Sequence, residues 1–186
     1  GDIVVQNVEV FVAGNGGDVL NLAHSSITYG NTVISGGDGD DILWGNIGQD
    51  EIFGSRGNDI INGGPGNDSI QGNGDDDFVR GGDGNDTIRG GSGMDTLYGG
   101  TGDDALFGGA DADTFVFRTG GDNDTIWDFE VGLDIIDLTD FNIDIANPSA
   151  TFADVRSDFV ITFAGGETLT LKNLSEADIL LDDFIF

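Results

Sequence analysis

The sequence predicts an all-β repeat protein, a stack of short strands separated by tight turns. Three observations predict it. Nine consecutive nonapeptides run from Gly36 to Val116 on one pattern, Gly-Gly-x-Gly-x-Asp-x-apolar-x. Position one is glycine and position six is aspartate in every unit. Position eight is apolar throughout: Leu43, Ile52, Ile61, Ile70, Val79, Ile88, Leu97, Leu106 and Phe115. Self-similarity at a fixed short period marks stacked repeats, in which no unit buries its apolar face alone.

Within a unit, one apolar position in nine leaves room for a short strand, and the remaining residues form a turn. Glycine at positions one, two and four permits positive φ and close approach of neighbouring backbones. It also turns carbonyl oxygens toward a common point, to which the aspartate adds a carboxylate on a short stem. Carbonyl and carboxylate oxygens together suit a hard divalent cation. Calcium takes ~6–8 such ligands at ~2.3–2.6 Å, whereas magnesium demands a tighter octahedron and keeps its water. The candidate ligands are the position-six carboxylates Asp41, Asp50, Asp59, Asp68, Asp77, Asp86, Asp95, Asp104 and Asp113. They are joined by position-one glycines Gly36, Gly45, Gly54, Gly63, Gly72, Gly81, Gly90, Gly99 and Gly108, and by Asp38 and Asp83 at position three. The chain holds 30 Asp and 5 Glu. A surface that was merely solubilising would use both, so the imbalance indicates a geometric role.

These nonapeptides closely resemble those of the RTX (repeats-in-toxin) family over residues 36–116. The resemblance implies a right-handed parallel β-roll with two repeats per coil and calcium between its turns. Equivalent loops would then lie 18 residues apart. One edge would carry Asp41, Asp59, Asp77, Asp95 and Asp113, and the other Asp50, Asp68, Asp86 and Asp104. With one ion between neighbouring loops, four gaps and three gaps give seven sites, and an eighth falls near Asp122 or Asp124, where the spacing slips. About four and a half coils at ~4.8 Å each make a roll on the order of 20 Å long. Some units depart from the ideal: Asn46, Ser55 and Asn73 replace the second glycine, and Asp75 and Asp111 the third. Asn and Asp tolerate left-handed backbone best among non-glycine residues, so these turns are expected to survive.

The flanks read as caps, giving three regions: 1–35, 36–116 and 117–186. Residues 2–22 alternate in a β-like manner, as in Val8-Glu9-Val10-Phe11-Val12. Residues 27–35 keep the repeat register, with Gly30 at position four and Ile34 at position eight, but Thr32 replaces the aspartate. This decayed coil is expected to bind no calcium and to cover the open N-terminal edge. Beyond Phe117, the phrasing Asp124-Thr-Ile-Trp-Asp-Phe and Gly132-Leu-Asp-Ile-Ile-Asp-Leu resembles the segment that closes RTX rolls in secreted proteases, lipases and alginate epimerases. Residues 158–163 and 167–171 read as an antiparallel pair across Gly165-Gly166. The terminal Asp182-Asp183-Phe184-Ile185-Phe186 resembles an uncleaved type I secretion signal, and also reads as a final strand of the cap.

Charge and composition bound the function. A net charge of −29, with six basic residues against 35 acidic ones, excludes nucleic acid as a natural partner. Stacked carboxylates repel one another, so metal binding and folding are expected to be one event. Cysteine is absent, which removes disulfides, zinc thiolates and redox chemistry and leaves calcium as the staple. No apolar run approaches ~20 residues, so no membrane span is expected. The chain starts Gly-Asp without methionine or signal peptide, as expected of a fragment from the C-terminal part of a larger exoprotein.

No catalytic constellation emerges. The single histidine, His24, sits in a polar stretch and reads as a surface residue. His-Glu-x-x-His and Gly-x-Ser-x-Gly are both absent, which argues against a zinc protease or a lipase nucleophile. Outward positions carry Trp44, Arg80 and Tyr98 on one sheet, a possible face for a polysaccharide. Position three is too irregular for the Thr/Asn array an ice-binding roll needs. The expectation is a non-catalytic module that is secreted, in keeping with Gram-negative type I export. It is unfolded at low cytosolic calcium and folded outside, with the type I secretion apparatus as partner. The alternative is a polysaccharide-contacting or adhesive module.

Overall fold

The computed structural model describes residues 3–4, 9–23, 27–28, 30–120, 122–141 and 150–186. His24 and parts of the predicted N-terminal cap lie outside them. Two sheets built almost wholly of parallel strands face one another, and successive repeats alternate between them. On the eight-stranded sheet, Phe78–Asp83 lies between Ile60–Pro65 and Thr96–Thr101, with Phe78 beside Ile60 and Thr96. On the ten-stranded sheet, Thr87 lies beside Ser69 and Ala105. Each alignment spans 18 residues, so two repeats make one coil. The whole is a β-solenoid of about six turns.

The core follows from a single column in the repeat. Every position-eight residue from Leu43 to Phe115 is fully buried between the sheets. Burying one such side chain stabilises by ~1.5–3 kcal/mol. The same column runs on beyond the repeats, through Ile34 on one side and Ile126, Ile136 and Leu171 on the other.

Both flanks join the roll rather than lying beside it. Glu9–Asn15 stacks on Thr32–Asp38 with Gly14 beside Gly37, and Val19–Asn21 stacks on Ile42–Trp44 with Val19 beside Ile42. At the other end Asn123–Ile126 continues the ten-stranded sheet and Ile135–Asp137 the eight-stranded one. Thr168–Leu171 and then Phe184–Ile185 add further parallel strands. The coil count expected from the nine repeats is therefore exceeded. Asp158–Phe163 pairs antiparallel with Thr168–Leu171, as the sequence predicted, and Gly166 turns the hairpin at φ +100°. Ala150–Val155 adds a last antiparallel strand, largely exposed. The terminal Phe184–Ile185 is a strand of the roll, held in place because both oxygens of buried Asp183 accept backbone N–H bonds, from Gly132 and Leu180.

Turn backbone departs from expectation at one loop. Ser55, Asn73, Asp75 and Asp111 keep the left-handed conformation of the glycines they replace, at φ +96°, +83°, +73° and +79°. Asn46 does not: its φ is not positive, and its side chain turns into the roll.

Candidate metal centre

Each position-six aspartate closes one coil onto the next. The backbone N–H of Asp41 donates to Asp59 Oδ1 at 2.7 Å, Asp59 to Asp77 at 2.8 Å, Asp77 to Asp95 at 2.8 Å and Asp95 to Asp113 at 2.9 Å. On the opposite edge Asp50 donates to Asp68, Asp68 to Asp86 and Asp86 to Asp104, each at 2.8 Å. Two ladders of carboxylates thus run along the edges of the roll, buried throughout.

The second oxygen of nearly every rung has no partner. Oδ2 of Asp41, Asp59, Asp68, Asp77, Asp86, Asp95, Asp104 and Asp113 is buried and accepts no hydrogen bond. Each lies against the position-one glycine of its own unit, where a side chain would collide with it. A Cβ on Gly72 would overlap Asp77 Oδ2 and sit 2.8 Å from the carbonyl oxygen of Gly90, one coil on. Gly36, Gly54, Gly63, Gly81 and Gly90 keep open the same space between a carboxylate and a carbonyl oxygen. Position-two carbonyls likewise point along the axis: a Cβ on Gly82 would strike the oxygen of Gly64, and one on Gly100 that of Gly82. Among the described residues no three acidic side chains converge. A cation in these turns therefore draws most of its ligands from the main chain. An oxygen-only, carbonyl-rich set with one carboxylate per loop fits calcium.

Electrostatics agree with this. Burial pushes the Asp77, Asp86 and Asp124 carboxyls up to about 8, Asp68 and Asp113 to about 7, and Asp59, Asp95 and Asp104 to about 6. The backbone N–H each accepts opposes the rise, and neighbouring carboxylates add to it. Carboxylates this costly to ionise call for a positive counter-charge in the turns.

The structure separates the sequence candidates. The nine position-six aspartates and nine position-one glycines come together as two continuous edges. Asp38 and Asp83 do not join them: Asp38 is exposed, 3.9 Å from the Arg56 guanidinium, and Asp83 accepts the Thr101 hydroxyl at the surface. Asp124 is the next rung after Asp104, accepting its N–H at 3.0 Å, while exposed Asp122 accepts from Gly102 at 3.1 Å. Two rungs escape the period. Asp134 accepts the Asp113 N–H at 3.0 Å, and the Asp18 N–H donates to Asp41 Oδ1 at 2.7 Å. The run Gly14-Asn-Gly-Gly-Asp18 carried a signal: it has the two glycines and the aspartate of a repeat, displaced by an insertion of five residues.

The outward face is partly self-satisfied. The Arg80 guanidinium lies 5.3 Å over the Tyr98 ring, and Arg89 lies 4.6 Å over Phe107, which stacks on Trp127 at 6.0 Å. Trp44 stands apart from them, 40% exposed and two coils from Arg80 in the same column of the sheet.

Four copies of the RTX calcium-binding nonapeptide repeat match the chain, at residues 27–61, 53–88, 80–115 and 89–126. Among solved structures, the extracellular lipase LipA from Serratia marcescens is similar at 19% identity and a TM-score of 0.48. That match covers 98% of this chain and 40% of the lipase. The AlgE6R3 subunit from the Azotobacter vinelandii mannuronan C5-epimerase is similar at 21% identity and a TM-score of 0.34, with 92% of this chain and 79% of that one covered. No curated protein sequence matches the chain.

Proposed function

This chain belongs to the family of RTX calcium-binding nonapeptide repeats, and from that premise we propose that it is the calcium-dependent folding and export module of a larger secreted protein. The observation that carries the reading is the row of eight buried carboxylate oxygens without a hydrogen-bond partner. Leaving a buried polar atom unsatisfied costs ~1–3 kcal/mol, more when it is charged. Eight such costs rival or exceed the ~5–15 kcal/mol by which a domain is stable. Without a counter-ion the roll is therefore unfolded at neutral pH. The ligands would be the position-six carboxylates with carbonyl oxygens of the glycine turns. Seven gaps between repeats would hold seven ions, and the Asp104–Asp124 gap an eighth.

Calcium affinities of extracellular modules, ~0.1–1 mM, leave such sites empty in the cytosol and filled outside it. The chain then stays threadable during passage through a type I apparatus and folds on emergence. Its function is non-catalytic, and any catalysis belongs to the remainder of the parent protein. Circular dichroism and tryptophan emission of metal-free protein test this during calcium titration, with magnesium as control. A cooperative coil-to-β transition up to millimolar calcium, absent with magnesium, is expected. A folded metal-free chain at neutral pH contradicts the reading.

A second reading, contact with a polysaccharide, rests on the outward exposure of Trp44, which shares a column of the eight-stranded sheet with the Arg80–Tyr98 pair. Loss of alginate affinity on Trp44→Ala, Arg80→Ala and Tyr98→Ala would favour it. No detectable binding by the calcium-loaded chain removes it.

A further inference from the structure

One loop of the nine is built differently. In the other eight, positions two and four are both left-handed, with φ from +83° to +130° and from +73° to +147° respectively. In the loop 45–50 neither Asn46 nor Gly48 has positive φ. The Asn46 side chain instead turns inward, and the residue is 4% exposed.

Its amide nitrogen meets four oxygens drawn from two successive coils. Asn46 Nδ2 lies 3.4 Å from the Gly30 carbonyl oxygen and 3.3 Å from Thr32 Oγ1, both in the preceding coil. It lies 3.2 Å from Asp50 Oδ1 and 3.1 Å from Asp50 Oδ2, in its own. Carbonyl, position-six side chain and carboxylate are the oxygen types that the other gaps leave for a cation. Here a neutral donor takes them, and the buried oxygen left without a partner in this gap is the uncharged Asn46 Oδ1. Reversing the amide would set Asn46 Oδ1 against the same four oxygens, so the acceptors fix its orientation.

The carboxylate beside it is correspondingly satisfied. Asp50 Oδ1 accepts the Thr32 N–H at 2.8 Å and the Thr32 hydroxyl at 2.7 Å, and Oδ2 also accepts the Asn46 N–H at 2.8 Å. Asp50 is the one position-six aspartate of the nine whose Oδ2 is not left unpartnered. Thr32 matches this arrangement. A carboxylate there would add a second charge with no metal to meet it, whereas a hydroxyl both donates and accepts.

We infer that the Asn46 carboxamide stands in for the divalent cation in the gap between residues 30–32 and 45–50. That gap is closed without metal and takes up no calcium. The inference rests on the calcium reading of the other gaps, and its consequence is structural asymmetry. The calcium stack on the Asp50 edge begins one gap later than the column of stacked strands does.

Two measurements on the full chain test it. Calcium stoichiometry, counted by native mass spectrometry or calorimetry, should rise by one ion in the double variant Thr32→Asp/Asn46→Gly, which restores a carboxylate and an open turn. Thr32→Asp alone should add none, because the amide still fills the space. An unchanged count in the folded double variant, or a gain in the single variant, overturns the inference. Amide proton NMR of the unaltered, folded protein is the second test and needs no variant. The Asn46 Nδ2 protons should exchange with solvent at least tenfold more slowly than those of exposed Asn73. Equally fast exchange overturns the inference. A chain that binds no calcium at all would sink the proposed function, while an unprotected Asn46 amide sinks this inference, so the two failures are distinguishable.

Discussion

The backbone N–H of Asp59 donates to Oδ1 of Asp77 at 2.8 Å, while Oδ2 of the same carboxylate is buried with no partner. One oxygen ties coil to coil and the other demands a cation. On the proposed calcium reading, strand stacking and metal binding are coupled through a single side chain, and the same arrangement recurs along both edges except at Asp50.

Asp77→Asn tests that coupling in mid-ladder. The amide retains an acceptor for Asp59 but brings no charge to the turn. A charged hydrogen-bonding partner contributes ~1.5–3 kcal/mol, so the calcium-loaded fold should lose about that much. Denaturant unfolding at saturating calcium measures it, and the calcium midpoint of folding should move upward in parallel.

Gly72→Ala and Gly74→Ala form a matched pair. A Cβ on Gly72 would overlap the Asp77 carboxylate and crowd the Gly90 carbonyl, whereas on Gly74 it would meet only Ser55 O and Ser92 Oγ, each at 3.6 Å. The first should cost the loaded protein ~1–3 kcal/mol or more. The second should stay within ~0.5 kcal/mol of the parent. Thermal unfolding in calcium separates them.

The pH dependence of the metal-free chain has a definite sign. Burial raises the folded carboxyls of Asp77, Asp86 and Asp124 from 3.8 to about 8, and those of Asp59, Asp95 and Asp104 to about 6. The folded state therefore binds more protons than the unfolded one between these limits. Its stability is fully present below the unfolded value near 4 and is lost as pH rises through 6 to 8. In chelator, circular dichroism should show more β structure at pH 5 than at pH 8. Calcium uptake near neutrality should release protons.

Removal of residues 117–186 should abolish folding even at saturating calcium. That segment supplies Ile126 and Ile136 to the core, and Asp124 and Asp134 accept the N–H bonds of Asp104 and Asp113. Its loss bares Leu106 and Phe115 at an open end. Circular dichroism of the truncated chain reads the outcome.

The sequence was most legible where its period was strict. Asp41 to Asp113 and Leu43 to Phe115 stand at fixed nine-residue intervals, and a ladder at twice that interval follows from two repeats per coil. Legibility failed where stacking outlasted the period. Asp18 and Asp134 are rungs, but their coils carry insertions of five and three residues relative to the repeat. The strands that flank each insertion keep the register of the stack. Asn46 was opaque for another reason: at a glycine position its backbone tolerance suggested a substitute turn, and only its neighbours Thr32 and Gly30 make an inward amide favourable. Asp38 and Asp83 share the acidic composition of the ladder but stand at the surface, at position three between the two left-handed residues of the turn.

Amide hydrogen exchange, followed residue by residue in chelator and in calcium at neutral pH, tests the central claim most directly. The N–H groups of Asp41, Asp59, Asp77 and Asp95 exist as protected donors only if the carboxylate ladder is assembled. They should exchange as an unfolded chain does in chelator and become strongly protected together as calcium is added. Equal protection in both conditions would mean that the ladder stands without a cation, and would contradict the account.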